Sequence, residues 1–359
     1  MTKGESYSRT SLDIGTLDDD GEVRVIRNAE AKCKLGESPL WCRKTNSLFW
    51  IDISGKLLFC AHFTEKILER WNLEQLCPDL GRPCCLSLCK SSRLLIAFEN
   101  NFVFFNLENH EIDIAELIVQ GGGEWKQVLL RQQGFAVRLN DGRVNKNGAL
   151  IIGGINETWG DFEDEWKAVQ PCYCIEKALN TEGSPALLVS INQSIPLAKI
   201  TNSICFSRDG STMFHADTPT NEIRMFSSPE GTPGGDVIIK TEHGPDGSVI
   251  DARDGLWNAE YEGGVVNRYE LSSSSSYSNV AAPISDTATP PVLSFHTPVK
   301  QTTCPCIGGP AGDILFVTTA SNFFVEERFT KEPLAGHVFM FKLPTSEYYI
   351  AENLFDDDQ

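Results

Sequence analysis

Apolar positions in this chain come in short runs separated by tight polar turns, and sustained 3.6-residue periodicity is scarce. That pattern predicts strands rather than helices. One unit recurs: an apolar strand, a turn carrying Asn-Gly, Asp-Gly or a close substitute, and a second apolar strand. It reads PLWCRKTNSLFWIDI from Pro39, CLSLCKSSRLLIAFE from Cys85 and GRVNKNGALIIGGI from Gly142. It returns as SICFSRDGSTMFHAD from Ser203, SVIDARDGLWNAEY from Ser248 and CIGGPAGDILFVTTA from Cys306. Asn-Gly and Asp-Gly supply the positive φ that a short hairpin needs. Further strands follow most copies, such as KLLFCAHF and KILERWNL after the first, and GVVNRYEL and PVLSFHT after the fifth.

Six copies about 45 to 60 residues apart, with up to four strands each, predict an all-β fold, a six-bladed β-propeller. The sixth unit has GHVFMFKL but little chain left for an outermost strand, whereas EVRVIRN precedes the first unit and has none of its own. Residues 22–28 are therefore expected to complete the last blade and close the ring. The expected layout is a polar, frayed N-terminal tail over 1–21, a single propeller domain over 22–348 and an acidic C-terminal tail over 349–359. Two stretches break the period and are expected as surface insertions. One, near 156–171, is acidic and carries Trp159, Phe162 and Trp166; the other, near 271–291, is rich in Ser and Pro.

Composition narrows the partners. At 359 residues the chain can bury the core of one large all-β domain. A formal net charge of −18 repels a phosphate backbone, so nucleic acid is not an expected partner. No apolar run approaches the ~18 residues of a membrane span, and the N-terminus lacks an apolar signal segment, so neither a membrane nor secretion is expected. Of the twelve cysteines, Cys172/Cys174 and Cys304/Cys306 form C-x-C pairs inside apolar runs, and no C-x-x-C has a matching second pair. They are expected as core thiols in a reducing, cytoplasmic setting.

Propeller geometry gives the loops their interest. The innermost strands of all blades line one channel, so the loops leading into them meet at one end of it. Counting back about seven to nine residues from the hairpin turns gives Glu37 in GESP, Asn140 in RLNDG with Asp141 beside it, Asn202 in ITNS and Asp246 in GPDG. Taken singly, each Asn or Asp reads as a turn cap. Taken together, four oxygen-bearing side chains converge, and such a set suits one hard divalent cation: Ca²⁺, Mg²⁺ or Mn²⁺, with Zn²⁺ as a further choice. A cation also removes the repulsion between gathered carboxylates. Arg138 stands two residues before Asn140, on the same side of an extended segment, where a guanidinium can clamp substrate oxygens. His215 and His243 lie near these motifs and read as strand and loop histidines.

LGESPLW, RLNDGRVNKNG, ITNSICFSRDG and GPDGSVIDARDGLW, in this order, resemble the SMP-30/gluconolactonase family, which includes regucalcin and sugar lactonases. The likeness spans roughly residues 30 to 345. It implies a six-bladed propeller that acts as a hydrolase on carboxylic ester bonds. The implied substrate is a small sugar lactone of the L-rhamnono-, L-arabinono-, xylono- or gluconolactone class, opened to the aldonic acid. The family's metal-binding residues fall on Glu37, Asn202 and Asp246, and its Arg-x-Asn substrate pair on Arg138 and Asn140. In related phosphotriesterase-like propellers the asparagine at the Asn140 position also contacts the metal. The resemblance further implies a cation that polarises the lactone carbonyl and Asp246 as general base. Where the family often has Gly-Thr-Met this chain has GGIN over 153–156, followed by ETWGDFEDEW, so no role carries over to Glu157. Phosphotriester cleavage, or calcium binding without turnover, would use the same oxygen ring.

Overall fold

The computed structural model describes residues 6–125, 136–158, 166–227, 234–271, 287–322 and 326–358. Its strands fall into six sheets of four or five, the blades of a propeller. From the channel outward, blade 1 is Gly36–Cys42, Ser47–Asp52, Leu57–His62, Ile67–Asn72 and Tyr7–Ser11. Blade 2 is Pro83–Leu88, Arg93–Phe98, Phe102–Asn106 and Ile112–Ile114. Blade 3 begins with Val137–Val144 and Leu150–Asn156, followed by Cys172–Leu179 and Pro185–Asn192, with Leu117–Val119 added in parallel at its edge. Blade 4 is Thr201–Phe206, Thr212–Asp217, Glu222–Ser227 and Asp236–Lys240, and blade 5 is Gly244–Ile250, Gly255–Tyr261, Val265–Glu270 and Leu293–His296. Blade 6 takes Thr302–Gly308, Ile314–Thr319 and Phe339–Lys342 from the C-terminal part of the chain. Val23–Ile26 and Ile14–Thr16 complete it from the N-terminal part, with Phe339 opposite Val25 and Phe341 opposite Val23.

The hairpins turn where the sequence placed positive φ. Asn46 (48°), Gly148 (85°), Gly210 (78°) and Asp254 (56°) sit in the turns joining the first two strands of blades 1, 3, 4 and 5. Alternating side chains then face the neighbouring blades. Six separate apolar clusters result among the described residues, one at each blade interface, including Phe49 with Leu86 between blades 1 and 2 and Trp41 with Phe316 between blades 6 and 1. All twelve cysteines are free, and ten of them are buried.

Both expected tails differ from their description as tails. Tyr7–Ser11 pairs along Ile67–Asn72 of blade 1, and Ile14–Thr16 pairs with Val23–Ile26 of blade 6, so residues 7–16 strap the first blade to the last. A polar strand suffices there, because an edge strand gains its ladder hydrogen bonds whatever its outward face. The acidic end is docked too. Phe355 is fully buried in the cluster between blades 2 and 3 and exchanges backbone hydrogen bonds with Leu88 and Lys90. Glu352 pairs with the partly buried Arg143, and Asp357 with Arg93, at the end of the channel where the hairpins turn. Of the two insertions, residues 159–165 and 272–286 lie outside the described residues, Trp159 and Phe162 among them. Trp166 is described; its Nε1 donates to the Asn156 carbonyl (2.8 Å) and the Lys199 ammonium lies over its ring.

Candidate functional site

Near its start each innermost strand carries one residue more than its partner. The register slips between Glu37 and Leu40, Pro83 and Cys85, Leu139 and Gly142, Asn202 and Cys205, Pro245 and Ser248, and Thr302 and Pro305. A bulge of this kind kinks the strand and re-aims one side chain. Blades 1 and 4 solve it alike: Ser38 (φ 53°) and Ser203 (φ 58°) take the left-handed conformation, and the residues before them, Glu37 and Asn202, face the channel mouth. In blades 3 and 5 the bulged residues themselves, Asn140 and Asp246, do so. The four side chains are therefore one position out of step with one another, not strictly equivalent as the repeat count suggests.

Contacts between neighbouring blades fix these bulges. The Leu86 amide donates to Ser38 Oγ (2.8 Å), and the Ile204 amide to Asp141 Oδ2 (2.9 Å). Ser203 Oγ donates to the Asp246 carbonyl (2.8 Å), and Thr303 Oγ1 to the Gly36 carbonyl (2.6 Å). Gly142 is required by close approach, since a Cβ there would lie 2.8 Å from the Ile151 carbonyl oxygen. A second support was not anticipated. An acid at the end of the second strand accepts from the backbone amides that lead into the first: Asp52 from Lys34 and Leu35, Glu99 from Arg82, Asp217 from Lys199 and Ile200, Glu260 from His243. The recurring endings WID, AFE, HAD and AEY were its visible signal.

All five predicted site residues, Glu37, Arg138, Asn140, Asn202 and Asp246, line one cavity of about 500 Å³. Leu35, Ile155, Ile200 and Tyr261 supply apolar wall between them. Asn202 is held from both ends: its Nδ2 donates to Thr218 Oγ1 (2.8 Å) and its Oδ1 accepts from Asn140 Nδ2 (3.1 Å). Asn140 Oδ1 in turn accepts from Arg138 Nη1 (2.7 Å). Its oxygen thus faces the guanidinium, and its amide nitrogen links that guanidinium to Asn202. Asp141 points away from the mouth to the Ile204 amide. His215 is buried in its strand and His243 sits on a loop beside Glu260; neither lines the cavity.

Two charged lining residues, Arg82 and Glu157, had no role in the sequence reading. Arg138 Nε donates to Glu157 Oε1 (2.9 Å), and Arg82 grips both oxygens of the same carboxylate (3.0 and 2.6 Å) while also pairing with Glu99. Arg82 occupies in LGRPCC the place that Glu37 occupies in LGESPLW, so comparison of the second unit with the first contained the clue. Trp166 is not among the described residues that line the cavity.

Electrostatics mark the mouth as deficient in positive charge. Burial, then the negative charge of Asp141, pushes the Glu37 carboxyl up to about 8. Burial, then Glu37 and Asp141, holds Asp246 well above the usual carboxylate range. Arg138 offsets this only in part, being engaged with Glu157. Buried oxygen donors with two carboxyls that repel one another fit a hard divalent cation, which would favour both charged forms.

The SMP-30/Gluconolactonase/LRE-like region matches residues 35–321. The L-arabinolactonase of Azospirillum brasilense is 28% identical over 321 residues, covering 87% of this chain and 89% of that protein. Regucalcin of Xenopus laevis is 23% identical over 315 residues, covering 85% and 90%. The solved structure of a calcium-binding regucalcin from Agrobacterium tumefaciens superposes with a TM-score of 0.68 at 25% identity, covering 90% of this chain and 94% of that one. With a match over most of its length and the six-bladed architecture in place, this chain belongs to the SMP-30/gluconolactonase family.

Proposed function

We propose that the protein is a metal-dependent lactonase that opens a small sugar lactone, of the aldono-1,4- or 1,5-lactone class, to the aldonic acid. The observation that carries this reading is the convergence of Glu37, Asn202 and Asp246 on one cavity whose carboxyls are offset only in part by Arg138. These three residues would hold the cation, and when bound it supplies Lewis-acid polarisation of the lactone carbonyl. Hydrolysis adds water to the carbonyl carbon, breaks the ring C–O bond and returns a proton to the leaving ring oxygen. Asp246, in its charged form, takes the proton from water and is placed to hand it on. Its backbone is fixed from behind, since its main-chain carbonyl accepts from Ser203 Oγ and Asn258 Nδ2. Arg138, braced by Glu157, offers N–H donors to ring hydroxyls, while Leu35, Ile155, Ile200 and Tyr261 suit the carbon face of a sugar and exclude water around it.

The relatives named regucalcin favour a second reading, calcium binding without turnover, on the same donors. One experiment separates the readings. Protein stripped with chelator is assayed on a panel of sugar lactones and a phosphotriester, with Ca²⁺, Mg²⁺, Mn²⁺ or Zn²⁺ added singly. Metal-restored turnover of a lactone supports the proposal. Metal binding with no turnover on any panel member supports the calcium-binding reading, and full activity in a metal-free preparation overturns both.

A further inference from the structure

Away from the mouth, blade 1 holds a second cluster of metal-binding side chains. Cys60 and His62 stand two apart on Leu57–His62 and so project from one face, and Glu69 lies directly opposite Cys60 on Ile67–Asn72. Cys60 Sγ, a His62 ring nitrogen and a Glu69 carboxylate oxygen lie within 4.8 Å of one another. Sγ is 3.3 Å from Nε2, and Nε2 is 2.7 Å from Glu69 Oε2. Cys60 and Glu69 are buried, whereas the His62 side chain is 23% exposed and leaves a way in. Tyr7 Oη, from the N-terminal strap, donates to the other Glu69 oxygen at 2.5 Å.

Two further groups border the cluster, and one is charged: Arg9 Nε lies 3.8 Å from Glu69 Oε1. Ser47 Oγ lies 2.9 Å from the Thr45 carbonyl and 2.8 Å from His62 Nδ1. A hydroxyl has one proton. When Ser47 gives it to the carbonyl, it accepts from Nδ1–H, and Nε2 then presents a lone pair to a carboxylate that also presents lone pairs. In that tautomer the Nε2 lone pair is free to bind a cation; in the other, with Ser47 donating to Nδ1, Nε2–H donates to Glu69 and metal uptake displaces that proton.

We propose that Cys60, His62 and Glu69 bind a thiophilic divalent cation, Zn²⁺ foremost, at a site separate from the propeller mouth. Mixed S, N and O donors are the set Zn²⁺ takes, at about 2.0–2.3 Å in tetrahedral array, which spaces donors roughly 3.3–3.7 Å apart. The Sγ–Nε2 pair is already at that spacing, and Glu69 reaches it by a small rotation. Tyr7 Oη or water fills the fourth place, and Ser47 acts as the outer hydrogen-bond partner that orients the ring. Burial, then the Glu69 charge, pushes the Cys60 thiol well above its ordinary range, so metal uptake must displace its proton. The ion would clip blade 1 to the strap that closes the ring.

Titrating Co²⁺ into the chelator-treated full-length protein reads this site apart from the mouth, whose described lining offers no thiol. The expected result is a near-ultraviolet thiolate-to-cobalt charge-transfer band that saturates at one equivalent, is bleached by Zn²⁺, persists in Glu37→Gln and is lost in Cys60→Ser. The absence of a band in the unaltered protein, or an unchanged band in Cys60→Ser, overturns the site. If Cys60→Ser does not fold, His62→Gln and Glu69→Gln carry the test. Weakening of Co²⁺ affinity by about tenfold or more in both supports it, and unchanged affinity in either overturns it.

Discussion

Asp246 and Glu37 are the two acids of the mouth, and they should fail differently. Glu37→Gln removes one of two carboxylates from the proposed cation site, so it is expected to raise the metal concentration needed for activity and to approach normal kcat when metal is saturating. Asp246→Asn removes the proposed base as well, and kcat should stay ~10²–10⁴-fold low at saturating metal. Metal titration of each variant under steady-state turnover makes the comparison; full recovery of Asp246→Asn would reduce that residue to a ligand. In the proposed mechanism Arg138 works on groups present in both ground and transition states, so its loss belongs in KM. A charged hydrogen bond is worth about 1.5–3 kcal/mol, and Arg138→Ala should raise KM roughly 10- to 100-fold with kcat little changed. A large fall in kcat would instead point to its link through Asn140 to Asn202.

At the scale of elements, the C-terminal segment matters most for stability. Phe355 fills space between blades 2 and 3 that no blade residue occupies, and Phe355→Ala should cost ~3–5 kcal/mol in urea unfolding. A loss under ~1 kcal/mol would mean the segment contributes little to that interface. Its docking should also respond to acid. Burial alone would raise the Asp357 carboxyl, but hydrogen bonds from Ser91 and the charge and hydrogen bond of Arg93 outweigh it and hold the group below its ordinary value. A carboxyl lowered on folding contributes stability above its unfolded pKa, and that contribution is lost as pH falls through the folded one. Hydrogen exchange at the Phe355 and Asp356 amides should therefore lose protection below about pH 4, ahead of the blade strands. Simultaneous loss in both regions would show that Asp357 does not control the docking.

For the whole molecule, the mouth joins three blades far apart in sequence, so a cation there ties blades 1, 4 and 5 together. Binding only to the folded state adds about 2.7 kcal/mol at a hundredfold excess over Kd. The thermal midpoint of the unaltered protein should rise by a few degrees with the activating metal, and that of Glu37→Gln by clearly less at the same concentration. An equal rise in both would place the stabilising ion elsewhere, for which the Cys60 cluster is the candidate.

The strands, the hairpins and the number of blades were legible in the sequence, because alternation of apolar side chains and positive φ at Asn46, Gly148 or Asp254 are settled within a few residues. So was the completion of blade 6 by the strand at Val23, since its own unit runs short of chain. The motifs around Glu37, Arg138, Asn202 and Asp246 placed the family. The single-residue offset between Glu37 and Asp246 was not legible, because a bulge takes its form from the neighbouring blade, as Ser203 shows by bonding the Asp246 carbonyl. Nor was the junction of Arg82, Glu157 and Arg138, whose members lie 75 and 19 residues apart and meet only when blades 2 and 3 are side by side. The polar composition of both chain ends said nothing of their docking, because edge pairing and a single buried Phe355 depend on surfaces built by other blades. Local pattern determined which elements form; long-range packing decided which side chains those elements turn into the cavity.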